Sequence, residues 1–435
     1  MTSSNEKQAA PATPALISRR NVVGAAAALG LSGGLLGSAG NAYAQSFKGE
    51  LRILCDAAKR SALQSAVDKF GKLNPDLTIR LNAASVDQLM ATVRMQLSSG
   101  TAPDVLPVWP GSGVPLSVHQ VAPGGFLANL SDQPFASNTP AFARDVIEVG
   151  GKLYWFANQP SVIGPIANMR VMKKAGITQQ PRTWPEFLAT CQKLKDAGVV
   201  PMALGLSTQW ITQLISYALV ATTVYADNPQ FPEQMKAGKA TFTGSGWEEA
   251  LTKYMELNQR GFFNPNPNGT SFEESQKMVA SEKAAMVVHT AGTVAGLIAT
   301  AGHSEFVMWP LPGRDSAAQT RVPVGITNGY GVAETSKNKD AAKAFLRFNN
   351  QTEIQEDWAR VTRVPVFGMP PEKTDPIYVE VMRYVNEGKG ALYMDNKWPN
   401  PRVQEAHFVG ITDLFAGKAK VADVLGRMDS AYKSA

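Results

Sequence analysis

Beyond residue 48 the apolar positions switch repeatedly between two periods. "LRILC" (51–55) is a short apolar run that reads as a strand. "KRSALQSAVDKFGKLN" (59–74) carries its apolar residues at helical spacing, and "LTIRLN" (77–82) alternates as a half-buried strand does. "VDQLMATVRMQLSSG" (86–100) is again helical and closes on Gly100, and "DVLPVW" (104–109) returns to strand. This β-α-β-α-β order predicts a mostly parallel sheet covered by helices. Ligands of such sheets sit beyond the carboxyl ends of the strands, which here carry Asp56, Ala83 to Ser85 and Trp109.

A second block follows Pro160. Thr183-Trp184-Pro185-Glu186 has the form of a capping box, with the helix running to Gly198. Ser245-Gly246-Trp247-Glu248 repeats the device before "ALTKYMELNQRG". "FFNPNPNGTSFEES" (262–275) is loop by its Gly, Pro and Asn content. No internal repeat or low-complexity tract interrupts the pattern.

The first 44 residues are set apart as an export signal. Arg19 and Arg20 precede an apolar Gly/Ala-rich stretch that ends on Ala42-Tyr43-Ala44, the small-x-small form of a cleavage site. Ser18-Arg19-Arg20 resembles a twin-arginine signal, with Val22-Val23 in place of the more usual Phe-Leu. Cleavage after Ala44 leaves 391 residues, enough for two domains around large cores. It also takes the net charge from +6 to +4, too mild to imply nucleic acid. The two cysteines, Cys55 and Cys191, fall on a strand and mid-helix in separate segments and are expected as buried free thiols.

Patterns that carry catalysis are largely missing. The four histidines (119, 289, 303 and 407) show no metal-ligand spacing, and neither a Walker loop nor a dinucleotide fingerprint occurs. Gly30-Leu31-Ser32-Gly33-Gly34 matches G-x-S-x-G only inside the leader. Nothing implies a metal or a cofactor.

Seven segments in order resemble the extracellular solute-binding proteins of ABC importers, in the carbohydrate-type group that includes maltose-binding protein. They are "AVDKFGKLNPDLTIRL", "LSSGTAPDVLPV", "GGKLYWFANQP" with "ANMRVMKKAGITQQPRTWPEFLATCQKLKDAG", "MVASEKAAMVVHTAG", "WPLPG", "GITNGYGVAETSKNKDAAKAFLRFNNQTEIQ" and "RVPVFG". Glu282 stands where a glycine is frequent before Lys-Ala-Ala-Met, and Ala167-Asn168 lacks the usual preceding tyrosine. The resemblance implies a two-lobed α/β periplasmic binding protein fold, with a ligand held in a hinged cleft between lobes. Residues 45–160 with 311–350 would form one lobe, and 161–310 with 351–435 the other. Chain crossings would fall near Gln159 to Ile163, Trp309 to Leu311 and Asn350 to Thr352.

A sugar offers apolar C–H faces to aromatic rings and hydroxyl rims to amides, carboxylates and guanidinium groups. Trp109 is either a stacking platform at a strand end or a core tryptophan. Trp210 has polar neighbours in "LSTQWITQ", and Trp309 suits either the cleft or hinge packing. On strand parity Trp155, with Gln159, is expected to face the ligand rather than Tyr154 or Phe156. Asp56, Asn328 and Arg363 are polar candidates, with capping, turn and solvated-surface roles as their alternatives. His289 is a further candidate, against a buried, satisfied imidazole. Asp104 is expected to be structural.

The function that follows is a monomeric periplasmic receptor, not an enzyme, which passes a small-molecule ligand, a sugar, to ABC permease subunits. A sugar phosphate, sugar acid or other small anion is the alternative, with Arg60, Arg321, Arg363 and Arg402 available to hold it. An exported carbohydrate-active enzyme is the third reading, and it would need two cleft carboxylates at glycosidase separation.

Overall fold

In the computed structural model the described residues are 46–433, apart from 138, 140, 158, 367 and 368. The leader, with Arg19, Arg20 and the expected cleavage site, therefore lies outside them. β1 (Gly49–Asp56) buries Leu51, Ile53 and Cys55 on one face, as alternation requires. α1 (Arg60–Leu73) turns Leu63, Ala66, Val67 and Phe70 onto that sheet. β2 (Leu77–Ala84) follows, then α2 (Val86–Ser98), capped by reciprocal hydrogen bonding of Ser85 and Gln88, then β3 (Val105–Val108), buried throughout. β1 pairs parallel with both β2 and β3. The strand Gly329–Val332 closes this four-stranded sheet antiparallel to β3.

A six-stranded mixed sheet is built around Pro160–Asn168. That strand lies between Val322–Ile326 and Ala284–Thr290, with Phe306–Met308 also paired to it. The helix Thr212–Thr223 is buried along its whole length and packs in a core with Trp184, Trp247 and Trp398. The first sheet has a separate core that includes Trp155, Phe156, Tyr330 and Trp358.

The chain passes between the core of the smaller sheet and those of the larger at Phe156 to Pro160, at Ile326 to Gly329, and between Thr362 and Ile377, where Val364 packs against the larger sheet and Val366 against the smaller. The first passage is close to its expected place; the other two differ. Trp309 and Leu311 stay in the core of the larger sheet, because the Trp309 N–H bonds the Pro165 carbonyl at 2.9 Å. Asn350 to Thr352 is a turn between two helices of the same core, where Trp358 Nε1 donates to Asn349 Oδ1 at 3.2 Å. The expected lobe limits are redrawn accordingly. Val322–Ile326 joins the larger sheet, while the helix Thr352–Thr362 packs in the core of the smaller one.

Polar side chains lace the passages together. Gln159 Nε2 donates to Thr362 Oγ1 at 2.7 Å and to the Val364 carbonyl at 2.9 Å, so the first passage is tied to the third. The Asn396 amide bonds both sides of the Ile326 peptide, accepting from its N–H at 3.1 Å and donating to its carbonyl at 2.9 Å. Lys59 Nζ donates to the Asn328 carbonyl.

Local signals are met with two adjustments. Thr183 accepts from the Glu186 N–H, but the Glu186 carboxylate reaches back to the Arg182 N–H. Ser245 accepts from the Trp247 N–H at 3.3 Å. Both cysteines are free and buried, and burial pushes the Cys55 thiol up to about 12.

Glu282, at the position where a glycine is usual, has a φ of 61° in the left-handed region, where a Cβ is strained. Its carboxylate pairs with the exposed Lys174, which offsets little of that strain. Glu282→Gly is expected to raise stability by about 1 kcal/mol, read as the shift of a denaturant midpoint. Gly329→Ala is expected to lower it by about 1–3 kcal/mol, because a Cβ there would lie 2.2 Å from the Phe156 carbonyl oxygen.

Candidate functional site

A cleft of about 1080 Å³ lies between the carboxyl ends of β1 and β3 on one side and the larger sheet on the other. The first wall is set by strand ends and helix starts. Asp56 ends β1 and accepts the Ala58 N–H at 3.1 Å, while Asp87 and Met90 come from the first turns of α2. Trp109 follows β3, where its backbone pairs with Leu116 and Val118 and folds residues 109–118 back on themselves. Trp109 is 8% exposed, so most of it belongs to the core although it lines the cleft.

Gly111 and Gly113 let this loop touch the opposite wall. A Cβ on Gly113 would stand 2.9 Å from Gln404 Oε1 and 3.1 Å from Trp398 Cβ. Thr327 and Asn328, from the second passage, form the floor.

The second wall is aromatic and amide-rich. Trp210 lines the cleft, with its ring backed by Phe272 at 5.2 Å and by His289, edge-on, at 5.3 Å. Below it Gln213, Tyr393, Asp395 and Gln404 line one end. Gln404 Nε2 donates to Asp395 Oδ1 at 2.7 Å and to Gln213 Oε1 at 2.8 Å. The Tyr217 hydroxyl donates to Gln213 Oε1 and receives Trp398 Nε1. These bonds hold Gln404, which is 1% exposed, in one orientation. Its Oε1 has no partner, and neither does the buried Oδ1 of Asn268, another lining residue.

Burial raises the Asp395 carboxyl to about 6, against the lowering effect of donors from Gln404, Tyr217 and Gln213.

Asp56, Trp109, Trp210 and Asn328 are thus brought together along the cleft. The remaining expected residues are placed elsewhere. Trp155 is 2% exposed, and its indole N–H donates to the Val108 carbonyl at 2.8 Å. Residues 154–157 form no continuous strand, only a bridge from Phe156 to Tyr330, so parity did not govern which ring faced outward. Trp155 and Phe156 instead line a separate cavity of about 610 Å³. Gln159 serves the passages described above. Trp309 is core.

His289 stands behind Trp210. Burial drives its pKa down to about 3, which keeps the ring neutral, and Nδ1 accepts the Thr290 N–H at 2.8 Å. Arg363 has a φ of 61° and pairs with Asp375 at 2.8 Å. Asp104 is buried and accepts the Arg52 N–H and the Ser336 hydroxyl.

Several lining residues escaped the sequence reading, chiefly Gln213, Tyr393, Asp395 and Gln404. A signal for the first existed: Gln213 and Tyr217 share a helix face, four residues apart, on a helix that carries no charged residue. For the others the polar and aromatic density of "YMDNKWPNPRVQ" was the available sign.

The sign of the Asp395 effect on stability follows from its raised pKa. An unfolded carboxyl titrates near about 4, so between that value and about 6 the folded chain binds more protons than the unfolded one. This contribution is therefore lost as pH rises from about 4 to about 6. Asp395→Asn, neutral throughout, is expected to flatten that fall and to melt at a higher temperature than the unaltered chain at neutral pH. Paired thermal melts across the range check this.

The sequence profile of the bacterial extracellular solute-binding protein family matches residues 56–356. An uncharacterized ABC transporter extracellular-binding protein of Pyrococcus horikoshii is 23% identical over 390 residues, covering 84% of this chain and 82% of that protein. Among solved structures, a chitin oligosaccharide binding protein superposes with a TM-score of 0.78 at 20% identity, over 89% of this chain and 99% of its own. A solute-binding protein in complex with raffinose gives 0.72 at 15% identity over 89% and 99%, which again shows the two-lobed fold. With the matched profile spanning well over half of its length, this chain belongs to the bacterial extracellular solute-binding protein family.

Proposed function

We propose that the chain is the periplasmic carbohydrate receptor of an ABC importer. The observation that carries this reading is a cleft lined by two tryptophans, Trp109 and Trp210, from opposing walls and by amides and carboxylates between them. Aromatic faces suit the C–H faces of a pyranose, and the amides and carboxylates suit its hydroxyls. The chitin oligosaccharide and raffinose binders among its structural relatives support the same class of ligand.

The lobes meet at the three passages, residues 46–157 with 328–362 forming one and 160–326 with 377–433 the other, with 363–376 running between them. A ligand that touches both walls favours the closed arrangement, and closure presents the loaded protein to the permease. The receptor acts as a monomer, without nucleic acid and without catalysis. The Arg19-Arg20 leader directs export by the twin-arginine route. Against the anionic alternative, none of Arg60, Arg321, Arg363 and Arg402 lines the cleft.

A thermal-shift screen of neutral oligosaccharides against the mature chain tests the reading, since a ligand that binds only the folded state raises the melting temperature. At least one is expected to do so. Trp109→Ala and Trp210→Ala should each weaken that ligand by about 1.5 kcal/mol, roughly tenfold in Kd. Turnover of the ligand, or retention of full affinity in both variants, would overturn the assignment.

A further inference from the structure

The helix Pro401–Phe415 has two distinct faces. Val403, His407, Ile411 and Leu414 recur every three or four residues and turn inward, while Pro401, Glu405, Phe408 and Thr412 line the cleft. From Pro401 to Thr412 the helix advances about 16 Å, a length that takes roughly three linked pyranose rings. The size of the cleft agrees, since its volume of about 1080 Å³ exceeds the roughly 300–1,000 Å³ of pockets that enclose one small molecule.

Phe408 is the unexpected residue on this face. It is half-buried, yet it packs in none of the three cores formed by the described residues, whereas Ala406 and Phe415 of the same helix pack against one. Its ring stands 6.4 Å from that of His407, the residue before it. A lone apolar side chain on an outer surface needs no explanation, but this one lines the cleft, where a ligand is what can cover it. The backbone beneath it is held on both sides. One turn earlier Gln404 Nε2 donates to Gln213 Oε1 at 2.8 Å, and one turn later the Thr412 carbonyl accepts from Asn268 Nδ2 at 3.1 Å. Glu405, on the same face, and Gln209, on the turn that packs against this helix, are exposed and offer a carboxylate and an amide to hydroxyl groups. Trp210 is the other half-buried ring of this wall, and different elements hold it, through Phe272 at 5.2 Å and His289 at 5.3 Å. Two rings on one wall, carried by separate elements, present two stacking surfaces rather than the two jaws of a single site.

On these grounds, and resting on the carbohydrate reading above, we propose that the ligand is an oligosaccharide of at least three units, and that Phe408 is a specificity-determining residue that stacks on a unit beyond the one held at Trp109 and Trp210. A monosaccharide at the two tryptophans leaves the Phe408 ring in contact with water. A longer chain covers it, burying apolar C–H surface on both partners while its outer hydroxyls meet Glu405 and Gln209. The helix Pro401–Phe415 thereby selects for chain length, and Trp210 selects for a pyranose face at any length.

Calorimetric titration of the mature chain with the one- to four-unit members of three series tests this. The probes are β-1,4-linked glucose, β-1,4-linked N-acetylglucosamine and α-1,4-linked glucose. In a series that binds, the trisaccharide is expected to bind roughly tenfold more tightly than the disaccharide. Phe408→Ala should abolish that step while leaving the affinity for the shorter sugars and the melting temperature of the sugar-free protein unchanged. Phe408→Tyr, which keeps a stacking ring, should restore the step, and Trp210→Ala should weaken every length. A disaccharide bound as tightly as the trisaccharide, or Phe408→Ala weakening every length alike or none, overturns the oligosaccharide assignment and leaves the carbohydrate reading standing. If no member of the three series binds, the oligosaccharide assignment falls, and the carbohydrate reading stands or falls with the screen above.

Discussion

The chain passes three times between two sheets, and polar side chains hold the passages in register. Gln159 reaches from the first passage to the third, and Asn396 grips the Ile326 peptide at the second from both sides. Amide side chains suit this place, because peptide groups at a strand end, such as Ile326 opposite Pro160, or beyond it, such as Val364, still require partners. The cleft exists because of this arrangement. It brings the carboxyl ends of β1 and β3 to face residues 206–214 and 393–412, segments far removed in sequence.

Gln404 Oε1 is buried against Gly113 without a hydrogen-bond partner, a cost set against the two bonds that the Nε2 of the same amide makes. Asp395 keeps a carboxylate in surroundings that raise its pKa. Each lowers the stability of the fold at this end of the cleft. His289 shows the opposite solution. Buried and neutral, it serves as a wall behind Trp210 and offers no charge of its own.

The elements nearest the amino end of the described residues were readable almost residue by residue. Their faces are fixed by short-range periodicity: Leu51, Ile53 and Cys55 on a strand, then Leu63, Val67 and Phe70 on the helix that covers it. The passages were less readable. "WPLPG" and the turn at Asn350 carry the composition of connectors, but a connector within a core and one between cores look alike in sequence. Trp155 was misplaced for a related reason. Alternation predicts facing only inside a paired strand, and residues 154–157 bridge to Tyr330 at a single point.

The sequence alone determined the α/β class, the family resemblance, the free thiols and the strand ends at Asp56 and Trp109. All of these rest on spacing within a few residues or on motif order along the chain. Only the tertiary structure decided which aromatic rings meet the cleft, where the chain crosses, and that Asp395 and Gln404 line one end. Those outcomes depend on contacts between Thr212–Thr223 and residues 393–404, some 180 positions further along, at a distance where local pattern carries no information about which side chains meet.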